Sequence, residues 1–154
     1  MIYQLKREQV LKSDLDTIWN FVSSAKNLPK ITPTYMNFKI KSKDLPDKMY
    51  PGMLISYTVT PLLGIPMSWL TEITQVSYKK YFVDEQRYGP YAMWHHQHFI
   101  EPHKDGILMT DIVTYKMPLG FLGRLAHWLF VKRQLNSIFN YRFQKMEEIF
   151  NSNK

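Results

Sequence analysis

The sequence predicts an α+β domain: a curved antiparallel sheet of about seven strands, two short helices after the first strand, and one long C-terminal helix lying over a cavity. Three observations carry this. From residue 38 to residue 117, apolar residues recur at every second position in segments divided by turn signals. From about Gly123 to Phe150 the apolar period becomes helical. Strands joined by short turns, with no helix between them, pair antiparallel.

Residues 2–11 read as the first strand. Ser13-Asp-Leu-Asp16 reads as a helix start, with Ser13 as cap and Asp16 near the positive end of the dipole. Leu15, Ile18, Trp19 and Val22 form a helical stripe through 14–23, and a second short helix is expected around 24–30, before the turn at Thr32-Pro33. Phe38 and Ile40 then alternate with lysines. Met53, Ile55, Tyr57 and Val59 share one face of a strand, and Trp69, Thr71 and Ile73 share one face of the next. Phe82, Asp84 and Gln86 follow in the same way. Lys104-Asp105-Gly106 signals a hairpin, and Met109, Asp111, Val113 and Tyr115 share a face of the last strand. In the final helix, Leu125, Trp128, Leu135, Ile138, Phe139, Arg142, Met146 and Ile149 fall near one stripe.

The strand Tyr91–Glu101 is the most informative stretch. Trp94, His96, His98 and Ile100 share one face, while His95, Gln97 and Phe99 share the other. A core face rarely carries two imidazoles, because each needs a buried hydrogen-bond partner. Such a face suits a cavity with polar fixtures.

The chain of 154 residues is expected to be one domain, residues 1–154. Its 45% hydrophobic and 15% aromatic content exclude disorder. It has no cysteine, which excludes disulfides, thiolate metal sites and cysteine nucleophiles. Charges in Met1–Arg7 argue against a signal peptide, so a cytoplasmic protein is expected. The uncharged stretch Met49–Thr71 is broken by Pro51, Pro61 and Pro66 and reads as strand, loop, strand rather than a membrane span. The net charge of +7 raises the question of nucleic acid. Lys39, Lys41 and Lys43 alternate as on a wet strand face, and no groove-reading helix appears, so no nucleic-acid partner is expected.

Trp19-x-Phe21, Asn27-Leu28, Ile31-Thr32-Pro33, Trp69, Phe82-x-Asp84-x-Gln86, Gly89-Pro90-Tyr91, Trp94-x-His96-x-His98, Asp111 and Pro118-x-Gly120 resemble a bacterial branch of the SRPBCC superfamily, which has the START or Bet v 1-like helix-grip fold. Its members are often labelled polyketide cyclase/dehydrase-like or "cell division inhibitor". The resemblance spans nearly the whole chain and departs at Ile100, where phenylalanine is usual. It implies a hydrophobic cavity and the binding of a hydrophobic or amphipathic small molecule or lipid, as carrier or sensor. The alternative it leaves open is a cyclase, dehydratase or hydrolase.

In a helix grip one face of every strand looks into the cavity. That places Trp69, Asp84, Gln86, Trp94, His96, His98, Asp111 and Tyr115 there, with Arg142 on the covering helix paired with a carboxylate of the sheet or of the ligand. These are the candidate ligand-binding residues. Arg142 can also be a stem lying along apolar surface with its head in water. An aspartate beside a histidine can hold one tautomer and raise the imidazole pKa. The group therefore reads as a clamp for a ligand head group, as an acid/base set of His96, His98, Asp84 and Asp111, or as a self-satisfied polar network. Two imidazoles with Asp84 or Asp111 make a thin metal set, so no metal and no cofactor is expected. His95, His103 and His127 read as surface or packing residues.

Two loops are apolar, Thr60–Pro66 and Met117–Gly123. In similar helix-grip proteins the corresponding loops ring the cavity mouth. Leu62, Leu63, Ile65 and Phe121 are the expected gate, joined by Trp128 and Phe130. Arg124, Lys132 and Arg133 nearby favour transient contact with anionic lipid. The other reading is that these loops cap the core or pack in a dimer. The chain is expected to be a monomer or weak homodimer.

Overall fold

The computed structural model describes residues 1–62 and 64–152, without the Leu62 side chain. Seven strands form one antiparallel sheet in the order β1-β7-β6-β5-β4-β3-β2. They are β1 (Ile2–Leu11), β2 (Lys39–Ile40), β3 (Met53–Leu62), β4 (Ile65–Ser77), β5 (Tyr81–Tyr88), β6 (Met93–His103) and β7 (Gly106–Lys116). The expected seven-stranded antiparallel sheet is present. The apolar loop expected at 60–66 is shorter, because β3 and β4 extend into it on both sides.

The hairpin at Lys104-Asp105 places His103 opposite Gly106. Gly106 has φ of +141° and lies against the backbone of Leu11, where a Cβ would collide with the Leu11 carbonyl oxygen. The end of the first strand is thus seated on the last hairpin.

Helix α1 (Leu15–Val22) is capped by Asp14 rather than the expected Ser13. The Asp14 carboxylate accepts the Thr17 N–H at 2.8 Å, a contact that contributes about 1 kcal/mol. Ile18, Trp19 and Val22 are buried, as the stripe required. The second short helix is a 3₁₀ helix, Ala25–Ile31. Pro29 inside it cannot donate to an α ladder, and Thr32, which precedes Pro33, is extended and ends it.

The C-terminal helix runs as α2 (Gly120–Ala126), a π-helical segment (His127–Val131) and α3 (Lys132–Phe150). In its first turn Gly123 closely approaches the Pro118 carbonyl, where a Cβ would overlap that oxygen. Its buried residues are His127, Val131, Leu135, Phe139 and Met146. A fourfold spacing drifts by about 40° per step around an α-helix. The wider π turn absorbs part of that drift and changes the phase of the helix. Leu125, Trp128 and Ile149, expected on the buried stripe, are therefore exposed. Among the described residues no helix is long and apolar enough to cross a membrane.

Polar contacts fasten the helix along β1. Arg7 donates to Asn136 at 2.6 Å, Gln9 to Glu147 at 2.7 Å, and Asn151 to the Val10 carbonyl at 2.9 Å. The apolar core falls into two clusters. One gathers Leu11, Ile18, Trp19, Ile55, Ile73 and Met146, and the other gathers Trp69, Trp94, Val113, Leu135 and Phe139. Each fully buried aliphatic side chain stabilises the fold by about 1.5–3 kcal/mol. Residues of both clusters line a cavity at their seam.

Candidate functional site

The cavity has a volume of about 160 Å³. That is the scale of a void that takes up one benzene-sized ring. Its walls come from β3, β4, β5, β6 and α3, and the first 3₁₀ segment contributes Leu28. Most of the wall is apolar, with Ile55, Val59, Phe82, Leu135 and Phe139 prominent. Polar groups are confined to a few places.

The largest polar group is a four-membered cluster that the sheet register assembles. His96 stands directly opposite Asp84 on β5, and His98 directly opposite Asp111 on β7. The two imidazoles share one face because they lie two residues apart on β6. The contacts cross the strands diagonally. His98 donates from Nε2 to Asp84 Oδ2 at 2.7 Å, and His96 donates from Nε2 to Asp111 Oδ1 at 3.0 Å. His96 Nδ1 faces Asp84 Oδ2 at 3.4 Å. His98 Nδ1 lies 2.8 Å from Asp111 Oδ1 but out of line for a hydrogen bond. Arg142 descends from α3 to within 3.8 Å of Asp111. Phe82 stacks on His98 at 4.0 Å and closes the cluster on one side.

The two histidines are driven in opposite directions. Burial depresses the pKa of His96, and the charge of His98 adds to the effect, so His96 is neutral. Burial also opposes the charge on His98, but the close carboxylates of Asp111 and Asp84, the latter hydrogen-bonded to it, outweigh burial and raise its pKa above 6.5. Asp111 resists burial because Arg142 and the two imidazoles favour its charge, and its pKa falls well below 3.8. Asp84 is held down in the same way by His96, His98 and Arg142 against the cost of burial. With Arg142 always charged, two carboxylates meet one permanent cation, and the cluster balances its charge when His98 carries its proton.

A second polar pair lies on the same wall. The Tyr57 hydroxyl and Thr71 Oγ1 are 3.0 Å apart, and burial pushes the Tyr57 phenol up. Trp69 lines the cavity beside them, edge-to-face with Trp94 at 5.3 Å. Its buried Nε1–H has no partner among the described residues. Asp84, His96 and His98 offer ligand atoms within 4.8 Å of one another. To hold a cation, they would exchange their mutual hydrogen bonds for metal bonds, and His98 would lose its proton.

No family model and no curated protein matches this sequence. Solved structures do. A START superfamily protein from Mycobacterium smegmatis is 14% identical, covering 96% of this chain and 97% of that one, with a TM-score of 0.69. A protein from Chromobacterium violaceum is 9% identical over 98% of this chain and 99% of that one, with a TM-score of 0.73. Ara h 8.0201 is 14% identical over 96% and 99%, with a TM-score of 0.59. The fold is the START and Bet v 1-like helix grip.

Within this helix grip, Trp69, Asp84, Trp94, His96, His98 and Arg142 line the cavity, all expected there from the sequence. Three other candidates lie elsewhere. Asp111 stands behind the histidines, beside a small void shared with Arg7 and Arg142. Gln86 turns to the β5–β6 connection, donating to the Tyr91 carbonyl at 2.7 Å and accepting from the Tyr91 N–H at 3.2 Å. Tyr115 points to the helix, where its hydroxyl donates to His127 Nε2 at 2.8 Å. Burial pushes the Tyr115 phenol up to about 12, so it stays a donor. Burial, with Lys132 nearby, depresses His127, so it stays an acceptor. Of the expected gate, Ile65 and Phe121 are exposed and do not line the cavity, while Leu63 and the Leu62 side chain lie outside the described residues.

Sequence reasoning did not assign Tyr57, Thr71, Phe82 or Tyr91 to the site. The signal for Thr71 and Phe82 was present, since they alternate in phase with the assigned Trp69 and Asp84, whereas no residue on the face of Tyr57 was assigned. Tyr91 is the first residue of the strand expected at Tyr91–Glu101, on the face of His95, but β6 begins only at Met93 and the alternation does not reach it.

Proposed function

We propose that this chain is a single cytoplasmic domain that binds a hydrophobic or amphipathic small molecule, such as a lipid, between the sheet and the C-terminal helix, as a carrier or sensor. The observation that carries this reading is an apolar cavity whose wall holds a Trp69 N–H without a partner among the described residues, together with a pre-paired histidine–aspartate cluster. A buried donor with no partner costs about 1–3 kcal/mol. A guest with a carbonyl, hydroxyl or carboxylate oxygen would recover that cost while its body covers Ile55, Val59 and Phe139. At about 160 Å³ the space suits one ring or a short acyl segment, so longer guests would have to part the helix from the sheet.

Native mass spectrometry of protein purified without added ligand tests this reading. The expected result is a co-purified species that is absent from a Val59→Trp variant, whose indole would fill the cavity. Quenching of Trp69 and Trp94 emission by a panel of fatty acids and aromatic acids gives the affinity. No bound species and no quenching by any member would overturn the reading.

A specific observation favours a second reading. His96 and His98 sit side by side on the cavity wall, one with its pKa lowered and one with its pKa raised, which is the division of labour that acid/base catalysis uses. An enzyme would turn over polyketide-like or ester substrates and lose that turnover in His98→Ala. Binding without turnover would leave the carrier or sensor.

A further inference from the structure

The most unusual surface lies at the start of the C-terminal helix and does not depend on what the cavity holds. Within the twelve residues 119–130, Leu119 and Trp128 are each 77% exposed, Phe121 is 67% exposed and Leu122 64%. Leu125, Leu129 and Phe130 are exposed as well. Only Gly123 and His127 of this segment are buried, and Ala126 half so. Scattered exposed apolar residues need no explanation, but a contiguous run of this size marks a contact surface.

The segment is held in place. His127 accepts from Tyr115 at 2.8 Å and stacks on Tyr3 at 3.5 Å, while Gly123 abuts the Pro118 carbonyl. The π turn buries His127 and Val131 and so turns Trp128, Leu129 and Phe130 outward. The apolar face is thus presented by a rigid anchor.

Its charge is one-sided. From Ile112 to Met146 the chain contains no aspartate or glutamate. Lys116, Arg124, Lys132 and Arg133 are all exposed around the apolar run. We propose that residues 119–130 dock this protein on the surface of a bilayer that bears anionic lipid, with Phe121, Leu122 and Trp128 in the headgroup and acyl boundary and the four cations against the headgroups. Aromatic and leucine side chains backed by lysine and arginine are the chemistry of an interfacial helix. A second copy of this chain fits the face poorly. An isologous contact would bring four cations against four cations with no carboxylate in the segment to separate them.

The test uses the full chain in vesicle co-sedimentation, with phosphatidylcholine alone and with phosphatidylcholine mixed with phosphatidylserine. The wild type is expected to sediment with the mixed vesicles, to show a blue shift in tryptophan emission, and to be released by raised salt. A Phe121→Ser/Trp128→Ser variant should lose at least about tenfold in partitioning with unchanged circular dichroism, since both residues are exposed. Arg124→Gln and Lys132→Gln should each weaken it about fivefold on mixed vesicles only. No sedimentation of the wild type with mixed vesicles at low salt would overturn the proposal, as would equal sedimentation of the double-serine variant. A concentration-dependent dimer abolished by the same two serines, without lipid binding, would assign the face to a second copy and overturn it as well. Cavity variants such as Val59→Trp should sediment like the wild type, so the two readings fail independently.

Discussion

Replacing Arg142 with methionine would keep the volume of the stem but leave Asp84 and Asp111 without their permanent cation, facing only the imidazoles of His96 and His98. At the observed 3.8 Å from Asp111, an effective dielectric of about 20 gives a lost attraction of about 4 kcal/mol. Arg142 Nε is itself buried without a partner, and removing that penalty returns part of the loss. The expected net destabilisation is about 3 kcal/mol at about pH 8, within the range for breaking a buried pair. The cluster has a way to adapt. Its excess negative charge would raise the pKa of His96, now depressed, and draw a proton onto it. A histidine with a raised folded pKa stabilises below its unfolded value of 6.5 and loses that contribution as pH rises. In the wild type, by contrast, neutral His96 costs stability as pH falls below 6.5. The gap between the two proteins should therefore narrow to about 1–2 kcal/mol at about pH 5.5. Urea unfolding of both proteins at the two pH values measures it. A loss that is the same at both pH values, or that grows on acidification, would refute the assignment of a neutral His96 in a charge-balanced cluster.

Imidazole ¹⁵N spectra should show His96 neutral at a pH where His98 is still protonated, and His98→Asn should abolish the second titration. Wild-type stability should fall on the acid side as pH drops through the depressed pKa values of Asp84 and Asp111, whose contribution is complete only above 3.8. On the alkaline side it should fall as pH rises through the raised pKa of His98, seen as a declining thermal midpoint. His127→Phe should keep the stacking on Tyr3 but strand the Tyr115 hydroxyl, costing about 1–3 kcal/mol or roughly 2–9 °C in midpoint. Adding Tyr115→Phe should recover most of that cost, and a double-mutant cycle showing no coupling would contradict the bond. Gly123→Ala should destabilise by more than about 2 kcal/mol, because its Cβ meets the Pro118 carbonyl rather than a flexible side chain. Calorimetry checks this against Gly64→Ala, which meets nothing within 4 Å, although its φ of +71° carries a backbone strain of its own.

Much of this architecture was legible in the sequence, because its strands alternate and alternation is a local property. His96 and His98 could be placed on one face from their spacing alone. Their partners followed less directly. Asp84 and Asp111 were expected near them, but which carboxylate meets which imidazole depends on the register of β5 and β7 against β6, and the hydrogen bonds then cross that register diagonally. Gln86 shows the limit. Its alternation with Asp84 points inward, yet it clamps the β5–β6 turn, beside the shift that skips Arg87. The C-terminal helix shows another. A strict α period places Trp128 with the core, whereas the structure exposes it and buries His127, because a π turn leaves no mark in apolar spacing. The empty volume was also beyond local reading. It is lined by residues of both apolar clusters, drawn from strands and a helix far apart in the chain, and no local pattern reports how they meet.

The strand β1, at one edge of the sheet, must wait for a partner made much later. β1 pairs only with β7, and Asn151 holds Val10 from the far end of the chain, more than a hundred residues away. Until that region has been synthesised, an amphipathic edge strand waits unpaired in the crowded cell, a species prone to aggregation. Closing a contact across so much of the chain is slow, and shielding of residues 2–11 until β7 is made is expected to bear on yield.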